Sequence, residues 1–501
     1  MAQFVAAIDQ GTTGTTVLVL DDQAEVRGRG YSEFTQHFPK PGWVEHDPEE
    51  IWKVALDVTS AALDDAGIKA SDLSAVGITN QRETTVLWDR STGRPVHNAI
   101  VWQDRRTKPM CDKLTADGRT DLVRSKTGLV IDPYFAGTKV AWLLEHVDGL
   151  RERAAKGEIC FGTIDSWLIY KLTGGREHLT DVTNASRTLL LDIGTVQWDD
   201  ELLSMLDVPR ELLPDVRPSS QVYAETDPEA FLGVSVPVAG AIGDQQAALF
   251  AQACFEQGQA KNTYGTGSFV LMNTGRDQIT DQKSLLRTIA YGLEDQPVEY
   301  ALEGSILATG SVVQWLRDEL GIIAKAEDTQ AMAESLESND DVYFVPALAG
   351  LGAPHWDPAA RGTLLGVTRG TTSAHLARAV LESIAWSTYD VVEAMQRESG
   401  VRINELRVDG GATANEWLMQ FQSDVLNLPL DVPDNVETTS LGSAYLAGLA
   451  TGVYADRDTL SSLRTTARRY EPRMDVRTRN RLHDRWLQAV EHAKGWARED
   501  Q

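Results

Sequence analysis

Cysteine is scarce in this sequence, where three residues, Cys111, Cys160 and Cys254, lie far apart along the chain. With no CxxC pair and no Cys/His cluster, neither a disulfide framework nor a structural zinc site is predicted. No apolar run approaches the ~18 residues that a membrane-spanning helix needs. The first residues, MAQFVAAIDQG, also lack the basic start and long apolar core of a signal peptide. We therefore expect a cytoplasmic protein that does not insert into membranes.

Positive charge is also in short supply, because 47 Lys and Arg residues face 73 Asp and Glu residues, which gives a net charge of −26. An acidic excess of this size repels phosphate backbones and acidic lipid headgroups, so nucleic acid is not expected as a partner. An anionic ligand would need a local cationic pocket to overcome this field. At 501 residues the chain is also too long for one compact core, so at least two domains are predicted.

The common nucleotide and hydrolase signatures are absent as well. The sequence contains no GxxxxGK[ST], no GxGxxG after its first strand, no HExxH and no GxSxG. These absences argue, by motif, against a P-loop enzyme, a dinucleotide-binding enzyme, a zinc protease of that type and an α/β-hydrolase.

What is present is an alternation of strand and helix patterns. FVAAI and VLVL predict two strands of an opening hairpin, and HDPEEIWKVALDVTSAALDDAG predicts a helix with apolar residues at helical spacing. Asp47 is the expected N-cap, Pro48 the first helical residue, Glu50 the capping-box partner and Gly67 the stop. The charged C-terminal stretch of about 40 residues has a helical pattern typical of a packing element. We predict an α/β fold.

A Gly/Thr turn occurs twice, in DQGTTGTT near residue 10 and in NTYGTGSF near residue 265. Two such hairpins, about half the chain apart, favour a duplicated architecture with a cleft between the halves. Backbone N–H groups in these turns could face a phosphate, and Asp9 could hold Mg²⁺. Taken alone, each turn is equally typical of an ordinary β-hairpin.

Three further segments carry candidate site residues with an ordinary alternative. In VDGGATAN, Gly410 and Gly411 could let a flat ring or ribose lie on the backbone and Asn415 could reach it, or Asn415 simply caps a helix. In GDQQAALF, Asp244 follows a strand, where open α/β sheets bind ligands, or it is an N-cap. In NQRE, Arg82 and Glu83 could hydrogen-bond a polyhydroxy substrate or form a surface ion pair.

Taken together, these segments resemble the FGGY family of carbohydrate kinases. The similarity runs in collinear order from about residue 4 to 450, and it is carried by DQGTTGTT, GITNQRE, IVWQDRRT, GDQQAALF, NTYGTGSF, QWLRDEL, GLGAPHWDPAARG and LRVDGGATANEWLMQFQSD. GDQQAALF and APHWDPAARG resemble the members that phosphorylate glycerol. The resemblance implies two ribonuclease H-like (actin/hexokinase/Hsp70-type) ATPase domains, expected at 1–252 and 253–501, flanking a nucleotide and substrate cleft.

The resemblance also implies ATP, Mg²⁺ and glycerol as ligands, and a homodimer or homotetramer. Asp244 corresponds to the general base and Asp9 to the residue that organises Mg²⁺. The implied substrate-binding residues are Arg82, Glu83, Trp102, Tyr134, Asp244, Gln245 and Phe269. The implied nucleotide-binding residues are Thr12, Thr13, Gly14, Thr16, Thr266, Gly267, Gly310, Gln314, Gly411 and Asn415. Two alternatives stay open: another polyol or ketose kinase of the family, and a non-catalytic ATP-dependent switch resembling actin or Hsp70.

The chain departs from the family pattern at two places. Where a common version of the first turn has Ser-Ser-Arg, this chain has Gly14, Thr15 and Thr16, so an arginine charge toward the phosphates is missing. Some members bind fructose 1,6-bisphosphate through an arginine where this chain has Ser235, and others are activated by phosphorylation of a histidine that DPEAFLGVSVP lacks. We therefore expect weak or absent inhibition by the bisphosphate.

Overall fold

The computed structural model describes residues 3–280 and 283–497. In the first half of the chain the strands are β1 (Phe4–Gln10), β2 (Gly14–Leu20), β3 (Val26–Glu33), β4 (Glu45–His46), β5 (Leu73–Asn80), β6 (Val86–Asp89), β7 (Ala99–Ile100), β8 (Ile159–Gly162), β9 (Leu179–Asp181), β10 (Leu191–Asp192), β11 (Gln197–Trp198), β12 (Asp215–Arg217), β13 (Ser220–Glu225) and β14 (Pro237–Gly243). The helices there are α1 (Pro48–Ala66), α2 (Lys108–Ala116), α3 (Thr120–Thr127), α4 (Ala136–His146), α5 (Leu150–Ala155), α6 (Ile164–Leu172), α7 (Val182–Ala185), α8 (Asp200–Leu206) and α9 (Asp244–Ala251).

The second half continues the same alternation. Its strands are β15 (Ala260–Tyr264), β16 (Ser268–Gly275), β17 (Leu286–Tyr291), β18 (Glu299–Ile306), β19 (Tyr343–Val345), β20 (Thr363–Leu365), β21 (Leu406–Gly410), β22 (Leu430–Pro433) and β23 (Thr466–Tyr470). Its helices are α10 (Gly310–Asp318), α11 (Asp328–Glu334), α12 (Ser373–Ser399), α13 (Glu416–Leu426), α14 (Thr438–Thr451), α15 (Arg457–Leu463) and α16 (Val476–Ala493).

Two large mixed sheets repeat one topology. The first has the order β13-β14-β5-β1-β2-β3, and the second has the order β17-β18-β16-β15-β21-β22-β23. In both, an antiparallel hairpin, β1-β2 or β15-β16, is flanked by parallel strands, β5 and β14 or β21 and β22. Helices cover the sheets, as the alternating sequence pattern requires. The predicted α/β fold with two similar halves is confirmed.

Local capping signals place the first long helix correctly, with one exception. The Asp47 carboxylate accepts a hydrogen bond of 2.9 Å from the Glu49 N–H, and Gly67 ends α1 with φ 67°. The expected capping box with Glu50 is wrong. The Glu50 carboxylate instead accepts hydrogen bonds from the backbone N–H and the hydroxyl of Thr35, at 3.1 and 2.9 Å. A neighbouring segment therefore competes successfully for this side chain.

The prediction of a helical C-terminus is correct for α16 but misses β23. Thr466–Tyr470 forms an edge strand, antiparallel to Leu430–Pro433. Arg468 and Arg469 obscured the strand pattern, because charged residues are tolerated on an exposed edge. In α16, Trp486 and Val490 are buried while the charged face is exposed, which fits a packing element. Within the described residues, no helix is both long and apolar enough to cross a membrane.

One helix of the second half packs directly on the first sheet. A Cβ added to Gly77 on β5 would lie 2.3 Å from the Ser443 carbonyl oxygen of α14. At Gly240 on β14, an added Cβ would lie 2.8 Å from the Ala447 nitrogen. These two glycines therefore allow α14 to approach the strands closely. As a consequence, the first turn of α14 lies at the carboxyl end of β1.

Candidate active site

A cavity of about 160 Å³ lies between the carboxyl ends of strands from both sheets. Its lining residues are Thr12, Arg82, Glu83, Trp102, Tyr134, Asp244, Gln245, Thr263, Gly265, Thr266, Gly267 and Phe269. The cavity therefore brings together all seven residues expected to bind substrate with three of those expected to bind nucleotide phosphates. Thr263 and Gly265 are lining residues that the sequence analysis did not single out.

Arg82 lies at the centre of this cavity wall. Its guanidinium donates a hydrogen bond of 2.5 Å to Glu303 and one of 3.2 Å to the Tyr134 hydroxyl. Its Nε lies 3.2 Å from the carboxylate of Asp244. Burial by itself lowers the pKa of Arg82, but Glu303 and the other anionic partners raise that pKa well above its usual value. Arg82 is thus a fixed cation in the wall of the cavity.

Behind Arg82 lies a buried ion-pair network that extends to a second arginine. Arg187 donates to Glu83 at 2.6 Å and to Glu303 at 2.9 Å. Burial raises the pKa of Glu303, yet the attraction of Arg187 and Arg82 outweighs it and lowers the pKa to about 2. The sequence analysis missed Arg187 and Glu303. The available signal was a glutamate inside the apolar strand YALEGSI, since a buried charge needs a partner.

Asp244 is the more exposed of the two carboxylates that line the cavity. It is the first residue of α9, and Gly243 occupies the N-cap position, so the alternative that Asp244 is an N-cap is wrong. About 27% of its side chain remains accessible. Burial raises the pKa of Asp244, and Arg82 and Lys261 only partly offset this effect. Thr183 fixes the start of the helix, because its hydroxyl accepts a hydrogen bond of 2.8 Å from the Gly243 N–H.

Lys261 orients the neighbouring Gln245. The Lys261 ammonium donates to the Gln245 side-chain oxygen at 2.6 Å and to the Thr263 hydroxyl at 2.8 Å. Because the ammonium occupies that oxygen, the amide N–H groups of Gln245 remain for a ligand acceptor. Burial lowers the pKa of Lys261 to about 8, although Asp409 and Asp244 act in the opposite direction. The sequence analysis did not identify Lys261.

Aromatic side chains form the apolar side of the cavity. The rings of Trp102 and Tyr134 meet edge to face at 5.7 Å, and the Trp102 indole donates a hydrogen bond of 2.9 Å to the Thr12 hydroxyl. The Phe269 ring centre lies 5.6 Å from the Arg82 guanidinium carbon. A ligand with hydroxyls on one edge and C–H groups on the other matches this arrangement.

Asp9 stands at the end of β1, beside the first Gly/Thr turn. Its carboxylate accepts hydrogen bonds from the hydroxyls of Thr439 and Ser440 in the first turn of α14, the latter at 2.9 Å. Burial raises the pKa of Asp9 to about 7, against the lowering effect of these two hydroxyls. Sequence reasoning missed Thr439 and Ser440, because no local signal links residues so far apart in the chain.

Close packing in the first Gly/Thr turn accounts for the glycine at position 14, where a common version of the motif has serine. A Cβ added to Gly14 would lie 2.8 Å from the Tyr31 ring and 2.7 Å from the Ser32 carbonyl oxygen. Gly14 is therefore packed against Tyr31, and any side chain at this position would clash. Thr13 is exposed at the tip of the turn, and Thr16 is half-buried opposite Asp9 in the β1-β2 pairing.

The second Gly/Thr turn is closed by its own backbone hydrogen bond and packs on the start of α10. Gly265 donates its N–H to the Gly267 carbonyl at 2.8 Å, and Gly310 donates its own to the Gly265 carbonyl at 3.0 Å. A Cβ at Gly310 would lie 2.6 Å from that Gly265 oxygen, so only glycine fits there. Gln314, one turn further along α10, is exposed. Neither Gly310 nor Gln314 lines the cavity itself.

The Gly-Gly turn after β21 offers an open backbone surface. Gly410 has φ 89°, and a Cβ there would lie 2.2 Å from the Tyr264 carbonyl oxygen, so the fold itself requires glycine. At Gly411, by contrast, an added Cβ would meet nothing within 4 Å. Asn415 caps α13 by accepting the Leu418 N–H at 2.9 Å, as the ordinary alternative proposed. Gly411 and Asn415 also lie outside the cavity.

Comparison with known proteins agrees with this arrangement of two similar halves around a polar cavity. Residues 4–251 match the N-terminal domain of the FGGY family of carbohydrate kinases, and residues 260–451 match the C-terminal domain of that family. The fold and site thus define a carbohydrate kinase, and the chain belongs to the FGGY family.

Within this family, the relatives with high sequence identity over the whole chain are glycerol kinases. The glycerol kinase of Deinococcus radiodurans is 56% identical over 494 residues, which cover 99% of this chain and 98% of that protein. The crystal structure of Plasmodium falciparum glycerol kinase with ADP is 35% identical, with a TM-score of 0.92 and 98% of each chain covered. The gluconate kinase of Lactobacillus acidophilus, at 21% identity and a TM-score of 0.87, shares the fold.

Proposed function

We propose that the protein transfers the γ-phosphoryl group of ATP to glycerol and forms sn-glycerol 3-phosphate and ADP, the first step of glycerol catabolism. The observation that carries this proposal is the one cavity that the polar side chains of Arg82, Asp244 and Gln245 line together with aromatic rings. Three hydroxyls on a short carbon chain match this division into a polar and an apolar side. Glycerol kinases that align with nearly the whole chain support the same substrate.

Asp244 is the proposed general base. A terminal hydroxyl of glycerol beside the Asp244–Arg82 pair would donate to the carboxylate and lie against the guanidinium. As this oxygen attacks the γ-phosphorus in line, its proton passes to Asp244 and the bond from the γ-phosphorus to the bridging oxygen of ADP breaks. The raised pKa of Asp244 makes it a stronger base than an exposed aspartate. Positioning by the cavity supplies much of the remaining rate enhancement.

Asp9 is the residue proposed to hold Mg²⁺. One of its carboxylate oxygens accepts the two hydroxyl hydrogen bonds, and burial disfavours the anion unless a cation lies nearby. In the described part of the chain, no group of three or more metal-ligating side chains exists, so phosphate oxygens and water would complete the coordination. Bound Mg²⁺ would neutralise charge on the transferring phosphoryl group and on ADP.

The two Gly/Thr turns are proposed to hold the ATP phosphates. Thr12 and Thr266 lie on the same cavity from opposite halves, and Thr13 is exposed beside Thr12. Gly310 and Gln314 on α10 and the open backbone at Gly411 would accommodate the rest of the nucleotide. Thr16 lies further back on β2, so its proposed phosphate contact is weaker than that of Thr12.

We further propose that the chain divides into domains 1–252 and 253–501, with α14 of the second resting on the first. The strands of the two large sheets come from these two ranges without exchange. Within the family, a homodimer or homotetramer is the proposed assembly, and the cytoplasm, where ATP is available, is the proposed location. Size-exclusion chromatography with light scattering measures whether the protein is a homodimer or a homotetramer.

ADP release by the purified protein with MgATP tests the reaction, with and without glycerol. Dihydroxyacetone, xylulose, ribulose, erythritol and gluconate run in parallel as alternative substrates. Release stimulated most strongly by glycerol supports the proposal, whereas a better alternative substrate keeps the mechanism and changes the substrate. If none stimulates release while ATP still binds, the ATP-dependent switch becomes the better interpretation. In that case glycerol alone would also fail to raise Tm.

A further inference from the structure

The buried ion-pair network beside the cavity contains one member from the opposite half of the chain. Glu303 lies on β18 in the second sheet, whereas Arg82, Glu83 and Arg187 belong to the first half. The Glu303 carboxylate lies 2.5 Å from Arg82 Nη1 and 2.9 Å from Arg187 Nη2. All four side chains expose no more than 2% of their surface. A single carboxylate therefore joins both arginines across the cleft.

We propose that Glu303 is a positioning residue for substrate binding, which holds Arg82 in its binding orientation from the opposite side of the cleft. The substrate pocket then has its correct geometry only while the two halves keep the spacing seen here. This inference rests on the proposed function, because it assigns Arg82 to glycerol binding. It adds a residue that touches neither the cavity nor, by its position, the substrate.

The contacts of Arg82 show why it needs this partner. Both carboxylate oxygens of Glu303 accept from its guanidinium, at 2.5 and 3.2 Å, which fixes the plane of the group. Apart from Asp244, the first-half partners of Arg82 are neutral, with the Tyr134 hydroxyl at 3.2 Å and the Gln246 side-chain oxygen at 3.1 Å. Without Glu303, Asp244 at 3.2 Å becomes the nearest anion. Arg82 already contacts Asp244 through Nε, so without Glu303 its remaining N–H groups would turn toward that carboxylate and compete with the substrate hydroxyl for its oxygens.

A second glutamate on the same strand provides a matched control. Glu299 lies four residues before Glu303 on β18, is also buried, and pairs with Arg457 at 3.0 Å instead of with the cavity arginines. Replacing either glutamate by glutamine removes a buried negative charge beside an arginine, so both variants should lose stability. Only the Glu303 variant disturbs Arg82. A purely structural role for Glu303 predicts that the two variants behave alike toward substrate.

The experiment compares KM for glycerol and KM for ATP in wild type, Glu303→Gln, Glu303→Asp and Glu299→Gln. We expect Glu303→Gln to raise KM for glycerol about tenfold or more, with KM for ATP within about twofold of wild type. Glu303→Asp keeps the charge but is one methylene shorter, so we expect an intermediate KM for glycerol. Glu303→Asp also provides the test of the inference if Glu303→Gln does not fold. Glu299→Gln should keep both KM values.

Binding without turnover gives a second measurement. Glycerol alone should raise Tm of the wild type and of Glu299→Gln, and much less that of the Glu303 variants. The inference is overturned if folded Glu303 variants keep the wild-type KM for glycerol, or if KM for ATP rises as much as KM for glycerol. A wild type that shows neither glycerol-dependent ADP release nor a Tm shift would instead overturn the proposed function.

Discussion

Arg82 Nε lies 3.2 Å from the Asp244 carboxylate, so the proposed base is paired with a cation of its own substrate pocket. The pair has two effects of opposite sign. Burial raises the pKa of Asp244, whereas Arg82 favours its ionised form and limits that rise. The carboxylate is thus more basic than an exposed aspartate but still available as an anion. Such tuning suits a group that must accept a proton near neutral pH.

Replacing Asp244 by asparagine should abolish most of the turnover. We expect Asp244→Asn to lower kcat by ~10²-fold or more, because the amide cannot accept the proton of the attacking hydroxyl. ATP binding should survive, since Asp244 lies away from the exposed backbone at Gly411. ADP release and nucleotide binding by calorimetry measure the two effects separately. Near-normal turnover would remove Asp244 from the role of base.

Much of the fold could be predicted from local signals. The helix from Pro48 to Ala66 was recognisable from Asp47 before it and Gly67 after it, and the repeated turns indicated two similar halves. Local signals failed where a tertiary neighbour decides the outcome. The Glu50 side chain accepts hydrogen bonds from Thr35 instead of forming the capping box. Thr466–Tyr470 forms a strand because it pairs with β22. Neither partner is close in sequence to the residue it contacts.

A buried histidine beside the first turn should make stability depend on pH. His46 donates from Nε2 to the Gln36 side-chain oxygen at 2.7 Å and accepts at Nδ1 from Gln81 at 3.3 Å, so both partners suit the neutral ring. Burial, together with the nearby His37, lowers the pKa of His46 to about 4. A depressed histidine pKa means that the unfolded state binds the proton more tightly.

The free energy of unfolding should therefore fall as pH decreases from about 6.5 to about 4, by about 3 kcal/mol for His46. Urea unfolding of the ligand-free protein at several pH values measures this slope. His46→Gln should show a shallower slope, and His492→Gln, at an exposed position, should keep that of wild type. Burial also lowers the pKa of His178 to about 4, so some slope should remain. Identical slopes in all three proteins would contradict the prediction.

The glycine that departs from the family's first turn should be required by packing. Gly14→Ser places a Cβ 2.8 Å from the Tyr31 ring and 2.7 Å from a backbone oxygen, so we expect a loss of about 1–3 kcal/mol in the free energy of unfolding. Gly411→Ala is the matched control, because its Cβ meets nothing within 4 Å. Unfolding measurements should show that Gly411→Ala is as stable as wild type. Activity assays of the same variant should show a raised KM for ATP, because Gly411 is proposed to lie at the nucleotide. Equal stability of Gly14→Ser and wild type would refute the packing argument.

The site was predictable where its residues occur in recognisable motifs and unpredictable where the fold joins distant segments. The motifs containing Arg82, Asp244 and Phe269 supplied five of the seven residues expected around the substrate, while Trp102 and Tyr134 come from other segments. The structure places all seven in one cavity. The resemblance did not extend to Ser440, 431 residues from Asp9, because only the packing of α14 on the first sheet brings them together. Glu303 was missed for the same reason.

Fructose 1,6-bisphosphate should not inhibit this protein appreciably. The Ser235 hydroxyl donates to the Glu225 carboxylate at 3.2 Å, so an anion at this position would face a negative charge. Arg176 is close by, but it is already paired with Asp227 at 2.5 Å. We expect glycerol-dependent ADP release to stay within about twofold across a millimolar titration of the bisphosphate, because electrostatic repulsion opposes its binding. Sodium sulfate at matched ionic strength separates a specific effect from simple screening. Saturable inhibition by the bisphosphate but not by sulfate would show that cations elsewhere on the protein build a site that Ser235 does not reveal.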